Sequence, residues 1–441
     1  MHLLKTALLL ALGLGTAACI QIDNAFTGLP PGPWRGELLL ENLPGETKTL
    51  EEGVEMRFQE VTQGELPFNF EVTYTDDTTF YLEFINGEER IRVDDIVMGL
   101  DRSTARDTLI ITFPAYGTYI KGEFEENVIN GVWVDPSRGK DYEIPLTARF
   151  GEDHRFSRLR KTPVLDVSGR WEVTFGIDRE ERETAIGEFE QDGNELRGTF
   201  RTETGDYRFL EGTVQADKLY LSCFDGTHAY LFEAKILPDS SLLGVYRSGT
   251  HYKTLWEARR KEAITLSDPF QRTSAIEGAK LDALRVPAPD GRFLGPADLE
   301  GPVKLIQILG TWCPNCLDET RFLRDYLTEH PERSNSVLGV AFERYPDSAR
   351  AMEQLQRYRE NLDLPYPLTL GGKASKAEAS RAFPMLDEIR AFPTLLVLDG
   401  ENRIRHIHTG FSGPATDQYA EFSAAFHEIV TKLFREADKE L

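Results

Sequence analysis

The stretch from Val303 to Leu327 constrains this chain more than any other. Val303 to Leu309 is mostly apolar on both faces, the pattern of a strand buried inside a sheet. It runs directly into Gly310-Thr311-Trp312-Cys313-Pro314-Asn315-Cys316. Cys316, Thr320, Leu323 and Leu327 then recur at spacings of four, three and four, which is one face of a helix. Two cysteines are therefore set at a strand-to-helix junction. Pro314 suits the first helical turn, where its missing N–H costs nothing. Cys313 falls at the helix N-terminus, where free N–H groups and the helix dipole favour an anion. A thiolate is the nucleophile of disulfide exchange, so an activated sulfur is expected at Cys313. Cys316, one turn further on, is placed to resolve a mixed disulfide.

The chain has four cysteines: Cys19, Cys223, Cys313 and Cys316. A bridge between positions three apart constrains little of the unfolded chain, so the pair points to chemistry rather than stapling. Zinc would want four ligands, and there is no second CxxC. His406 and His408 share one face of a strand and could only loosely complete such a site. No metal or other cofactor is expected, and both histidines are expected to face solvent. Cys223 lies on the leucine face of Leu219-Tyr220-Leu221-Ser222-Cys223 and is expected to pack as a small buried hydrophobe.

Alternation of strands and helices continues after the cysteines. Val337 to Phe342 reads as a strand, 347–361 as a helix, Leu368 to Leu370 as a short strand and 374–382 as a short helix. Thr394 to Leu398 and Arg403 to His408 read as a hairpin. A final helix over 416–437 carries Tyr419, Phe422, Phe426, Ile429 and Leu433 on one face. This order is similar to that of a thioredoxin-like α/β domain, here over 285–441.

The segment GTWCPNCLDE resembles the active site of extracytoplasmic thioredoxin-like proteins of the TlpA/ResA type. The resemblance implies a thiol–disulfide oxidoreductase with Cys313 and Cys316 as its redox disulfide. Glu319 occupies the place of an active-site acid in those reductases; the residues alone equally allow a helix acid favoured by the dipole. Gln307 stands where thioredoxin itself carries a buried acid, which fits the exported subgroup better. Ala391-Phe392-Pro393-Thr394 resembles the family's cis-proline segment, and Gly410 its close-approach glycine. The resemblance thus implies a client groove formed by Trp312, Phe392, Pro393 and Gly410. Implied partners are protein disulfide or dithiol clients and a membrane electron donor. Asn315 departs from the proline common before the second cysteine, and leaves the reduction potential open. A reductase is the preferred direction. Two rivals remain: a thiol peroxidase, which would want a threonine where Gly310 stands, and a binding protein in which the preceding β-region does the main work.

Residues 1–18 read as a secretory signal, with Lys5 ahead of the apolar TALLLALGLG. Small residues lead to Cys19, as in a lipobox, although Thr16 stands where leucine is commonest. A lipid on Cys19 would tether the protein to a membrane, in the periplasm or elsewhere in the cell envelope. From 30 to 261 short apolar runs alternate with turn residues such as Asn86-Gly87, and no long helical pattern appears. Two related antiparallel β-units, barrels or sandwiches, are expected over 30–152 and 165–261. The repeat rests on Asp107–Ile111 with Asp217–Leu221, Gly131–Trp133 with Gly244–Tyr246, and Thr147–Arg149 with Glu257–Arg259. Gly32-Pro33-Trp34 and Gly169-Arg170-Trp171 open the two units. Polar residues 262–284 read as a linker. A net charge of −23 argues against nucleic acid as a partner.

Overall fold

The computed structural model describes residues 28–41 and 64–440; the signal-like segment and Cys19 lie outside the described residues. Period-two alternation builds the N-terminal strands. In Gly32–Leu39, Trp34 and Leu38 turn inward and are fully buried, while Arg35 and Glu37 form the other face. This strand lies inside a nine-stranded antiparallel sheet, between Glu65–Tyr74 and Glu143–Phe150. The second unit, Gly169–Arg260, is a closed eight-stranded barrel in which Gly169–Phe175 meets Tyr252–Arg260. Its interior is packed with aromatic rings: Phe232 lies 4.4 Å, centroid to centroid, from both Phe200 and Tyr246.

The segments matched between the units fall on strands in comparable places. In both units the opening tryptophan strand pairs with the closing one, Trp34 opposite Phe150 and Trp171 opposite Arg260. The first unit, however, is not a closed barrel: its nine strands form one sheet that curls without closing, Phe84 and Phe113 from near its two edges lying 5.0 Å apart. Between its edge strands Glu89–Val93 and Ile96–Asp101 the chain turns a tight corner, with Ile96 N donating to Asp94 O at 3.0 Å, so these two do not pair. Arg155, buried, ties sheet to barrel. It donates to Ile85 O (2.8 Å), Asn86 Oδ1 (3.0 Å) and Ser222 Oγ (2.9 Å).

The C-terminal sheet has the order Leu368–Lys373, Val337–Glu343, Val303–Leu309, Thr394–Asp399, Ile404–Thr409. The first three run parallel and the last two antiparallel to their neighbours. Val303–Leu309 is central and every residue in it is buried, as expected of a strand covered on both faces. Four helices accompany the sheet: Pro314–Glu329, Ser348–Asn361, Lys376–Ala382 and Gln418–Glu440. Residues 262–284 are not a free tether. Ala275 bridges Leu386, Lys280 bridges Arg403, and the fully buried Leu281 donates from its N to Asn402 O at 3.0 Å. Polar composition concealed this, because backbone pairing needs no apolar side chains.

Candidate active site

Cys313 is the N-cap of helix Pro314–Glu329. Its backbone is extended, so its sulfur turns back over the first helical turn and accepts from Cys316 N at 3.3 Å. The Cys313 thiol also donates to Phe392 O at 3.5 Å. Phe392 precedes Pro393 through a cis peptide bond, and the Trp312 and Phe392 rings meet edge to face at 5.7 Å. Trp312, Phe392 and Pro393 thus lie together beside Cys313, and Gly410 N donates to Pro393 O at 2.9 Å. Both cysteines carry free thiols. Cys316 is fully buried. Burial, reinforced by Cys313 and then Glu319, holds its thiol well above the ordinary cysteine range.

Beneath the thiols lies a buried polar network. Glu319 is fully buried, one turn on from Cys316, and accepts from Gln307 Nε2 at 3.0 Å. Gln307 also donates to Thr320 Oγ1 (3.1 Å) and accepts from Tyr366 OH (3.1 Å). The other oxygen of Glu319 has no protein partner. Glu319 is thus not a solvent-facing helix acid. Burial pushes its carboxyl up to about 8, against the Gln307 hydrogen bond that lowers it.

A pH dependence follows with a definite sign. The folded-state value lies above the ordinary carboxyl value, so protonated Glu319 is compatible with the fold and charged Glu319 opposes it. The stability it allows is complete below about pH 4.5 and is lost as pH rises towards 8. In urea titrations, Glu319→Gln should gain on the parent by up to ~1.4 kcal/mol per pH unit across that window. Parallel stability profiles for the two proteins would remove the buried, proton-holding Glu319.

Residues 277–423 match the redoxin family. This part of the chain is a redoxin domain. Thiol:disulfide interchange protein DsbE from Pseudomonas aeruginosa is 28% identical over 141 residues, 32% of this chain and 69% of that protein. Among solved structures, a thiol:disulfide interchange protein of the thioredoxin family from Chlorobium tepidum is 20% identical. It covers 36% of this chain and 99% of its own, with a TM-score of 0.28. The exposed lipoprotein thioredoxin of Streptococcus pneumoniae is 19% identical over 29% of this chain and 88% of its own, TM-score 0.22. With its redoxin domain the chain is a thioredoxin-like thiol–disulfide oxidoreductase.

The redoxin domain also holds groups that sequence reasoning missed. Glu343 ends an otherwise apolar strand and is buried behind the active-site turn. It accepts from Thr311 N (2.9 Å) and Thr311 Oγ1 (2.8 Å), two residues before Cys313. Burial pushes its carboxyl up to about 7 against those two bonds. The available signal was a lone acid at the carboxyl end of a parallel strand, where α/β sheets place their sites. Arg344, next in sequence, lies over the Trp312 ring at 4.2 Å. His408 corrects the expectation of a solvent-facing residue. It is buried against Phe422 (4.5 Å) and Phe270 (4.9 Å), because the C-terminal helix and residues 268–272 cover that strand face. Cys223 is fully buried in the barrel wall. Among the described residues no group of three or more His, Cys, Asp and Glu side chains converges as a metal site, and no helix is long and apolar enough to cross a membrane.

Proposed function

We propose that this chain is an extracytoplasmic, lipid-anchored reductase of protein disulfides. The observation that supports it most directly is a dithiol at a helix N-terminus whose outer sulfur faces the cis Phe392–Pro393 bond. Cys313, as thiolate, attacks one sulfur of a client disulfide. The S–S bond breaks, the other client sulfur leaves and takes a proton, and Cys313 is held in a mixed disulfide. Cys316 then attacks Cys313. The second client sulfur is released as a thiol and the Cys313–Cys316 disulfide forms, so the client gains the two electrons that the dithiol loses. Cys316 must shed a proton in this step. Glu319 sits one turn away, and with its carboxyl raised to about 8 its ionised form is a stronger base than an ordinary carboxylate, which narrows the gap to the raised Cys316 thiol. Trp312, Phe392, Pro393 and Gly410 bound the client groove. A membrane dithiol donor re-reduces the pair, and the lipobox-like segment ending at Cys19 supplies the anchor.

The test is a redox titration of the full chain against dithiothreitol buffers, read by thiol count and tryptophan fluorescence. One two-electron transition is expected, absent from Cys313→Ser, together with catalysed reduction of a protein disulfide. A chain with no reversible couple is not an oxidoreductase of this kind. Peroxide turnover without a protein client would favour the peroxidase reading.

A further inference from the structure

We infer that the barrel loop Thr202–Arg208 is a built-in occupant of the client groove, which keeps the dithiol closed to protein-sized partners until the loop leaves. The inference rests on the proposed client groove and adds its regulation.

The loop joins the barrel strands Glu195–Arg201 and Leu210–Gln215 and reaches across to the redoxin domain. Gly205 forms a parallel bridge with Phe411. With its amide turned so that oxygen faces N–H and nitrogen faces C=O, the Asn315 side chain, between the two cysteines, donates to Asp206 O and accepts from Asp206 N, both at 3.2 Å. It treats the loop as a neighbouring strand would be treated. Arg208 Nη1 donates to Pro314 O at 3.5 Å and pairs with Asp318 at 2.9 Å. Gly413 N donates to the Asp206 carboxylate. The loop therefore holds both the cysteine turn and the segment after the last strand.

The fit depends on glycine at two places. A Cβ on Gly410 would stand 2.9 Å from both Glu203 O and Thr204 O. The close approach that this glycine offers a client is taken by the chain's own loop. A Cβ on Gly205, whose φ is +150°, would stand 1.8 Å from the end of the Asn315 amide and 2.8 Å from Phe411 O. With the loop in place Cys313 is 5% exposed, too little for a folded client to reach its sulfur.

The docked loop is polar and carries opposition within it, as a releasable contact would. Asp206 is buried beside Asp318, and burial followed by that charge pushes its carboxyl up to about 6, against the bonds from Gly413 N and Arg208. Docking thus holds the Asp206 carboxyl beside Asp318, which Arg208 pairs at 2.9 Å.

The experiment compares two thiol reagents on the reduced full chain, with Cys313 followed by peptide mass. Iodoacetamide is the small probe and a maleimide on a 5-kDa polyethylene glycol the large one. Relative to a free thiol, the large probe should lag the small one by ~10-fold or more in the parent, and by only ~2–3-fold in Gly205→Ala or Asn315→Ala, since each raises the open fraction. The two variants act from opposite sides of the contact, and circular dichroism reports folding of each. Equal reactivity of both probes in the parent overturns the latch, as does an unchanged lag in a folded variant. The redox titration is read on the same samples. Failure of the couple to titrate removes the proposed function, while the probe ratio still decides the loop.

Discussion

Cys316→Ser is expected to stop half-way through the exchange, with Cys313 left bonded to the client. The outer sulfur keeps its place at the helix start, facing Phe392 O, so attack on the client disulfide proceeds. What is lost is the second thiol, which is fully buried and within one helical turn of the first. A serine hydroxyl cannot displace a disulfide sulfur. Turnover should therefore fall by roughly 10³-fold or more, while the mixed disulfide persists on a non-reducing gel. Cys313→Ser should lose both turnover and the trapped species. A Cys316→Ser protein that still cycled would show that resolution comes from elsewhere.

Arg208→Ala should be strongly destabilising. The Arg208 side chain is 2% exposed and faces three carboxylates: Glu89 of the first sheet, Asp225 of the barrel at 3.6 Å and Asp318 of the redoxin domain at 2.9 Å. Although burial alone would raise Asp225, His228 and then Arg208 hold its carboxyl at about 2. Removing the guanidinium takes the partner from buried Glu89 and leaves Asp225 to His228 and Asp318 to Arg321, at an expected cost of about 3–5 kcal/mol. Arg208→Lys should recover only part of it, since a single ammonium cannot reach partners on three units with fixed geometry. The urea midpoint reads the effect. A loss under about 1 kcal/mol would mean that water already solvates the cluster.

The redoxin domain was legible because its signals are local. The apolar run Val303–Leu309, the four-three-four spacing after Cys316 and the proline at the first helical position each span a few residues. They correspond to the central strand and helix Pro314–Glu329. The β-region gave alternation but no topology. The same period-two pattern serves the open sheet and the closed barrel, and the choice lies in whether Glu89–Val93 and Ile96–Asp101 pair. His408 was misread for a similar reason. Alternation assigns a residue to a face but does not say which face a distant helix will cover, and Phe422 comes from that helix.

The amino-acid order by itself determined the strand-to-helix junction, Cys313 at the helix start and Cys316 one turn on, since a thiol's placement at a helix start depends only on its nearest neighbours. Tertiary structure decided the rest of the site. Glu319 and Glu343 hold their protons to about 8 and 7 because other segments exclude water from them, a property of burial that no spacing encodes. The same is true of the loop over the dithiol. Its contacts join residues 110 positions apart at Arg208–Asp318 and 207 apart at Asp206–Gly413, and exist only once the barrel and the redoxin domain have each folded and met.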